Sequence, residues 1–303
     1  MAWTPDQLPS LAGTTAVVTG ANSGIGWHTA AALARKGARV TLACRNAGSA
    51  ATAAQRIRAT VPDAEVEVRP LDLSSLASVG EFAAAWEGPL DLLVNNAGVM
   101  TPSSWQGTAE GFELQFGTNH LGHFALTAGL LPALTAASRP RVVTVSSIRH
   151  HVGDETVLEG NPAATYRPTP AYGNSKLANL LFGRELQRRA QAHAPHLTST
   201  MAHPGVSATG LVTDKQGMGA NPVVRALAPA ALRLAVQSAA AGANPSLYAA
   251  TEAEPGSYTG PQRLGETRGP IGPARLSEHA RDDALAARLW ERSEELTGVS
   301  YGW

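Results

Sequence analysis

The chain has 303 residues, enough for one large domain or two modest ones with a sizeable buried core. Its 24 lysines and arginines balance 24 acidic side chains, and this formal net charge of zero argues against a nucleic-acid partner or a polybasic membrane contact. The single cysteine, Cys44, excludes an intrachain disulfide and a cysteine-rich metal site.

The expected compartment follows from two further features. The N-terminal residues show no basic segment followed by an apolar run of signal-peptide length. No other apolar run reaches the roughly 18 residues that a membrane-spanning helix needs. We therefore expect a cytoplasmic protein without a membrane anchor.

Short β-branched runs alternate with Ala/Leu-rich helical stretches along most of the chain. The predicted strands are, in chain order, TAVVTG, RVTLAC, EVEVRPLD, LDLLVNNAG, RVVTVSS and TSTMAHPG. The helices predicted between them cover 25–36, about 50–60, near 75–86 and 119–131, and the last begins with YGNSKLANLLF. This alternation indicates a parallel sheet with helices on both faces. The predicted fold class is α/β, a single Rossmann-type doubly wound parallel sheet.

Two segments, 149–170 and 207–244, interrupt the alternation and are long for connections within a compact domain. Residues 223–234, apolar with two arginines, are either a lid over a hydrophobic substrate or an ordinary packed helix. We expect a single domain over 1–303, made of a dinucleotide-binding and catalytic core at about 14–206, a substrate lid at about 207–245, and a C-terminal strand, loop and helix at about 246–303.

A glycine-rich turn directly follows the first predicted strand. In TGANSGIG the glycines are Gly20, Gly24 and Gly26, and a predicted helix begins within the motif. Glycine permits a tight turn and lets backbone N–H groups approach a phosphate, while the helix N-terminus supplies partial positive charge. The spacing differs from the general G-x-G-x-x-G fingerprint, but the flanking strand and helix favour a pyrophosphate-binding loop over an ordinary turn.

The end of the second strand distinguishes NAD(H) from NADP(H). A site for NAD(H) would carry an acidic residue there to bind the ribose 2′-hydroxyl. The chain instead has Ala43, Cys44 and Arg45, so a guanidinium is available to bind a 2′-phosphate and no carboxylate repels it. We predict NADP(H), with NAD(H) as the alternative if Arg45 is only a solvated charge.

Tyr172 and Lys176 are four residues apart at the start of a predicted helix and therefore share a face. They are either a partly exposed surface pair or an acid–base pair. A free phenol titrates near pH ~10, and a neighbouring ammonium together with a positively charged nicotinamide ring would favour the phenolate. In the second case we expect the pKa of Tyr172 to fall.

Histidine pairs are the other candidate metal ligands in the sequence. The pairs His120 with His123 and His150 with His151 have no cysteine or acidic cluster nearby in sequence that would complete a ligand set. We therefore expect no metal and assign these side chains to packing or surface roles.

Six motifs, TGANSGIG, NNAG, TNHLGHF, VVTVSS, YGNSK and HPG, follow one another along the chain. In this order, on alternating strands and helices, they resemble the short-chain dehydrogenase/reductase family. The strings ACRN, YGNSKLANLLF, GPQRLGE and LWERSEELTG are similar to its branch of retinol dehydrogenases and WW-domain oxidoreductases. The segment between Ser147 and Tyr172 is longer than in many family members, which also resembles that branch.

The resemblance implies four catalytic residues, Asn119, Ser147, Tyr172 and Lys176. Tyr172 would donate a proton in carbonyl reduction and accept one in alcohol oxidation, next to Lys176. Ser147, with Ser146 as the alternative, would hydrogen-bond the substrate oxygen as charge develops on it. Asn119 would hold a water that relays protons to Lys176.

The resemblance also implies a cofactor site. Asp72 would hydrogen-bond the adenine, and the residues after HP would hold the nicotinamide carboxamide. Together with Arg45, the predicted cofactor-binding residues are Gly20, Asn22, Ser23, Gly24, Ile25, Gly26, Asp72, Leu73, Asn96, Ala97, Gly98, Tyr172, Lys176, Pro204, Gly205, Val206 and Thr209.

The sequence thus predicts an oxidoreductase that transfers a hydride between NADP(H) and a carbonyl or secondary alcohol of an apolar small molecule. The alternatives are a non-catalytic NADPH-binding sensor or scaffold and an NAD-linked alcohol dehydrogenase. Family members often pair the helices that correspond to 121–131 and 177–187 into homodimers or homotetramers, but these apolar faces can equally serve a monomer.

Overall fold

The computed structural model of the protein describes residues 3–206 and 237–303. Its strands are β1 (Thr15–Thr19), β2 (Arg39–Cys44), β3 (Val66–Pro70), β4 (Leu92–Asn95), β5 (Arg141–Val145), β6 (Thr198–Ala202), β7 (Tyr258–Arg263) and β8 (Arg268–Pro273). They form one sheet in the order β3-β2-β1-β4-β5-β6-β7-β8. All neighbours pair in parallel except β7 and β8, which are antiparallel.

Helices connect the strands and cover both faces of the sheet. Within the described ranges they are α1 (Gly24–Arg35), α2 (Ala47–Thr60), α3 (Leu76–Ala84), α4 (Leu114–Phe116), α5 (Gly122–Gly129), α6 (Leu131–Ala136), α7 (Pro168–His193), α8 (Ala239–Thr251), α9 (Glu278–Arg281) and α10 (Asp283–Thr297). A π-helical turn, Gly117–Leu121, leads into α5. The α/β fold class predicted from the alternation is confirmed.

Alternation along each strand produces a separate apolar core on either face of the sheet. In β1, Val17 packs in one core, with Phe82 of α3 and Phe124 of α5, whereas Val18 packs in the other, with Ala30 of α1. Successive strand side chains point to opposite faces. Both faces are buried, which explains why the parallel strands appear in the sequence as continuous apolar runs.

The C-terminal region departs from the sequence prediction. One short strand was expected after residue 246, but the structure has two, β7 and β8, and β8 runs against the parallel direction. The segment between them, LGET, has no β-branched run; Leu264 and Glu266 adopt positive φ and close a hairpin. In addition, α8 begins at Ala239, inside the segment expected to be a lid.

One predicted helix is interrupted, and several predicted features lie outside the described ranges. The helix predicted over 119–131 is interrupted, because it starts as a π turn and ends at Gly129 before α6. Residues 223–234, expected to be either a lid or a packed helix, lie outside the described residues. So do most of the lid expected at 207–245 and Thr209. The division of the chain into core, lid and C-terminal part stays a prediction.

Candidate active site

A cleft of about 500 Å³ opens at the carboxyl edge of the sheet. Strand order reverses between β1 and β4, and ligands of open α/β sheets bind at such a switch point. Its lining includes every predicted cofactor residue within the described ranges except Gly205 and Val206. The lining residues are Gly20, Asn22, Ser23, Gly24, Ile25, Gly26, Ala43, Cys44, Arg45, Asn46, Leu71, Asp72, Leu73, Asn96, Ala97, Gly98, Val99, Thr118, Val145, Ser146, Tyr172, Lys176 and Pro204.

The glycine loop after β1 depends on its glycines. Gly20 and Gly24 have φ values of 64° and 54°, in the region that glycine adopts readily. A Cβ on Gly26 would lie 2.5 Å from Nδ2 of Asn96 and 2.6 Å from the backbone oxygen of Gly20. Only glycine therefore lets α1 start this close to the end of β4. The residues fit a bound pyrophosphate at the N-terminus of α1.

The other end of the cleft lies beyond β2 and β3. Arg45 is exposed and follows β2 directly, and Asn46 caps α2 by accepting the N–H of Ser49 at 2.8 Å. Asp72 follows β3, where its Oδ1 accepts the backbone N–H and the hydroxyl of Ser74 at 2.9 Å and 2.6 Å. A cation thus lines the cleft at the end of β2.

Tyr172 and Lys176 are buried in the first half of α7, at 8% and 4% exposure. The Lys176 Nζ lies 5.8 Å from the centroid of the Tyr172 ring and donates to the backbone oxygen of Val145 at 3.2 Å. The Ser147 side chain lies close enough to the Tyr172 hydroxyl to favour its ionised form. This geometry excludes the alternative of an exposed surface pair.

The structure distinguishes the two candidate serines. Ser146 is buried, and its hydroxyl donates to the backbone oxygen of Lys176 at 2.8 Å. Ser147 is half-buried, accepts the N–H of Arg149 at 3.2 Å and contacts the Tyr172 hydroxyl. Although Ser146 lines the cleft, its hydroxyl proton is already used, so Ser147 is the better partner for a substrate oxygen.

Burial controls the protonation of both groups. It raises the pKa of Tyr172 to about 12, although the Ser147 side chain and the charge of Arg149 act in the opposite direction. It also lowers the pKa of Lys176 to about 8. The prediction that Lys176 lowers the pKa of Tyr172 is therefore wrong for the protein's own groups, because desolvation dominates. At neutral pH the pair presents a protonated phenol.

Asn119 lies in the π-helical turn, a distortion often found at functional sites. Its side chain holds the backbone of Val99 at both ends: Oδ1 accepts the N–H at 2.7 Å and Nδ2 donates to the oxygen at 3.0 Å. Nδ2 also donates to Ser175 Oγ at 3.0 Å, and Ser175 donates to the backbone oxygen of Tyr172 at 2.9 Å. The amide protons of Asn119 are thus used inside the protein, which joins the cleft wall to α7.

The segment after β6 lies against the β7–β8 hairpin. The N–H of Val206 donates to the backbone oxygen of Thr267 at 2.9 Å, and the side chain of Gln237 donates to the backbone oxygen of Pro204. Gly205 has a φ of 65°. Pro204 reaches the cleft, whereas Gly205 and Val206 stand beside it.

The insert at 149–170 is held by a buried polar network that the sequence did not reveal. Asn161, with a φ of 57°, donates through Nδ2 to Glu113 Oε2 at 3.0 Å and to the backbone oxygen of Ala171 at 3.2 Å. Its Oδ1 accepts from Asn174 at 3.1 Å, and its backbone oxygen accepts from Trp105 at 3.2 Å. The only sequence signal is the turn-favouring GNP string.

Two further residues that organise the site, Thr19 and Ser175, were not predicted from the sequence. Thr19 at the end of β1 accepts the N–H groups of Asn96 and Ala97, each at 2.9 Å. Ser175 lies between the two predicted catalytic residues of α7. Adjacency to a recognised motif is the signal that could have indicated both.

Residues 3–206 and 237–303 hold neither a candidate metal site nor a candidate membrane span. No three His, Cys, Asp or Glu side chains of these ranges are grouped as metal ligands would be. None of the helices in the same ranges is both long and apolar enough to span a bilayer.

A Rossmann-type cleft that ends at a buried Tyr, Lys and Ser defines the class of dinucleotide-dependent oxidoreductases. The short chain dehydrogenase family model matches residues 14–218. Retinol dehydrogenase 13 from Homo sapiens is 40% identical over 294 residues, covering 96% of this chain and 86% of the relative. Dehydrogenase/reductase SDR family member 13 from Bos taurus is 43% identical, covering 97% and 76%.

Two solved structures are also similar to this chain. A crystal structure of an uncharacterized protein from Mycobacterium Paratuberculosis has a TM-score of 0.83 at 42% identity and covers 100% of both chains. The RhlG/NADP active-site complex of Pseudomonas aeruginosa has a TM-score of 0.63 at 26% identity, covering 82% of this chain and 94% of that one. The chain belongs to the short-chain dehydrogenase/reductase family, in its retinol dehydrogenase branch, which confirms the predicted resemblance.

Proposed function

We propose that this oxidoreductase reduces a carbonyl of an apolar small molecule with NADPH, or oxidises the corresponding secondary alcohol. The observation that carries the proposal is that Tyr172 and Lys176 line one end of the cleft whose other end carries Arg45, with Ser147 close to the Tyr172 hydroxyl. The bound nicotinamide would supply or accept the hydride, while the protein supplies orientation and a proton.

Arg45 supports the choice of NADP(H) over NAD(H). It is a cation at the end of β2, where a ribose 2′-phosphate would be recognised, and the neighbouring lining residues Cys44 and Asn46 are uncharged. The proposed nucleotide-binding residues are those that line the cleft from Gly20 to Gly98, with Pro204, Gly205, Val206 and Thr209 at the nicotinamide end.

The cofactor proposal is tested by binding. We expect NADPH to bind more tightly than NADH, and Arg45→Ala to weaken NADPH about 10-fold or more while leaving NADH nearly unchanged. Arg39→Ala is the matched control, because Arg39 lies at the opposite end of β2 and pairs with Glu65. Equal dissociation constants for the two dinucleotides would contradict the proposal.

Tyr172 is the proposed proton donor in reduction. With a pKa raised to about 12 by burial, its phenol stays protonated across the neutral range and can protonate a developing alkoxide. Ser147, within hydrogen-bonding reach of that phenol, would donate to the same substrate oxygen. Lys176 places an ammonium beside the Tyr172 ring and stabilises negative charge that develops on the phenol oxygen.

Substitution of Tyr172 tests the catalytic assignment. We expect Tyr172→Phe to lose turnover by a factor of 100 or more, on the order expected for a general acid, while retaining NADPH binding. Tyr248→Phe is the matched control, since Tyr248 packs edge-on against Trp3 and does not line the cleft. Turnover of Tyr172→Phe near that of the unchanged protein would exclude the assignment.

The apolar substrate class rests on the relatives. Retinol dehydrogenases 11 to 14 match 95–98% of this chain, and their names specify an apolar alcohol. We propose that the insert at 149–170, together with the predicted lid at 207–245, shapes a pocket for such a compound within a single domain. Cytoplasmic location remains part of the proposal and is tested by cell fractionation.

A further inference from the structure

His123 stands one helical turn beyond Asn119 and connects two parts of the site. Its ring is buried, at 1% exposure. Nδ1 lies 2.9 Å from the backbone oxygen of Asn119, and Nε2 lies 2.9 Å from Oγ1 of Thr19. One imidazole therefore bridges the π-helical turn that carries Asn119 and the strand end that precedes the glycine loop.

The hydrogen-bond capacities of the partners fix the tautomer of this ring. The backbone oxygen of Asn119 can only accept, so Nδ1 carries the proton. Thr19 Oγ1 already accepts the N–H groups of Asn96 and Ala97, which fills its two lone pairs. Its single proton goes to Nε2 at 2.9 Å in preference to the backbone oxygen of Val94 at 3.3 Å. His123 is neutral in this arrangement, and burial lowers its pKa to about 4.

The consequence reaches Tyr172 through Asn119. The Asn119 side chain binds the backbone of Val99 and donates to Ser175, which in turn donates to the backbone oxygen of Tyr172. A π turn departs from the hydrogen-bond pattern of an α-helix and is often found at functional sites. Through Nδ1, His123 adds a side-chain hydrogen bond to the Asn119 carbonyl.

We propose that His123 is a positioning residue: by holding the Asn119 carbonyl through Nδ1–H, it fixes the Asn119 side chain and through it the placement of Tyr172. The proposal rests on the catalytic assignment of Tyr172 made above. His120, in the same turn, points elsewhere, because its Nε2 bonds Ser293 of α10 at 2.8 Å.

Two substitutions separate hydrogen bonding from packing. His123→Leu fills most of the space and offers no donor. His123→Asn is smaller, but it keeps an amide N–H near the position of Nδ1, and the Thr19 hydroxyl can turn to Val94. If His123 only filled space, the Leu protein would be the more active of the two.

We expect the opposite order. The kcat of His123→Leu should fall about tenfold, the equivalent of one buried hydrogen bond, and His123→Asn should recover most of that loss despite a lower melting temperature. The dissociation constant for NADPH should stay close to that of the unchanged protein in both. Ser293→Ala is the matched control, because it removes the bond to His120 and should lower stability without lowering kcat.

The tautomer gives a readout that needs no turnover. In protein labelled with ¹⁵N-histidine, the resonances lost in His123→Asn should be those of a neutral ring protonated at Nδ1. A ring protonated at Nε2, or a His123→Leu protein with unchanged kcat, would overturn the proposal, as would a His123→Asn protein no more active than the Leu protein. If no substrate is turned over, the oxidoreductase proposal fails separately, and the NMR result still decides the tautomer on which the positioning role depends.

Discussion

Lys176 lies over the ring of Tyr172, with Nζ 5.8 Å from the ring centroid, and both side chains are buried. The described contact of its ammonium is the backbone oxygen of Val145 at 3.2 Å. A buried ammonium held by a carbonyl and an aromatic face is destabilised relative to water, which is why its pKa is lowered to about 8. Burial of the Lys176 ammonium beside Tyr172 lowers the stability of the folded protein, and this cost can be measured.

The pH dependence of carbonyl reduction should follow Lys176. Tyr172, with a pKa raised to about 12 by burial, stays protonated throughout an ordinary assay range, whereas Lys176 loses its proton near pH 8. We expect kcat for reduction to be level below about pH 8 and to fall above it. A profile that stays level to pH 10 would contradict this role for Lys176.

Lys176→Met should stabilise the protein while abolishing turnover. Burial of the charge lowers the pKa from 10.5 to about 8, a cost of roughly 3 kcal/mol below pH 8. Between pH 8 and 10.5 the unfolded chain binds more protons than the folded one, so stability rises with pH and the cost disappears. Urea unfolding should therefore show Lys176→Met as the more stable protein at pH 7, with the difference shrinking towards pH 10.

Asn161 should be the residue on which the order of the insert depends. Asn161→Ala removes the donor to the buried carboxylate of Glu113, and at a φ of 57° it replaces a residue type that tolerates the left-handed region with one that does so less readily. We expect a loss of about 2–4 kcal/mol in the free energy of unfolding and an increase in KM for the carbonyl. Thr165→Ala, at an exposed site of the same insert, is the control and should stay within about 0.5 kcal/mol.

The protein should be a monomer. Trp290 of α10 packs against Phe124 and Phe182, with ring centroids 5.1 Å and 5.9 Å apart, and the Tyr301 hydroxyl donates to the backbone oxygen of Phe124 at 2.9 Å. Helix α10 and the tail thus cover apolar side chains of α5 and α7, the helices through which family members pair. Light scattering after size-exclusion chromatography should give the mass of one chain, and the mass of a dimer would contradict this.

Sequence patterns were sufficient where a local rule determines the structure. β1 and β2 appear as apolar runs, and the glycine loop and YGNSK lie where the motifs placed them, because turn geometry and helix periodicity are local properties. The β7–β8 hairpin was only partly predicted because its strands contain Gly and Pro and its turn is built from positive-φ residues such as Leu264.

Long-range pairing could not be predicted from spacing. The partners of Asn119, namely Val99 and Ser175, are 20 and 56 residues away, and the partner of Asn161 in Glu113 is 48 residues away. The effect of burial on the pKa of Tyr172 could not be predicted for a related reason: the motif shows the neighbouring ammonium, but only the fold shows how deeply the phenol is buried.

NADPH consumption by the purified protein against a panel of carbonyls, from small polar aldehydes to steroids and retinal, is the most direct test of the central claim. We predict turnover on apolar members of the panel and its loss in Tyr172→Phe, with NADPH still bound. The absence of NADPH consumption with every member of the panel, despite tight NADPH binding, would contradict the account and favour a dinucleotide-binding protein without catalytic activity.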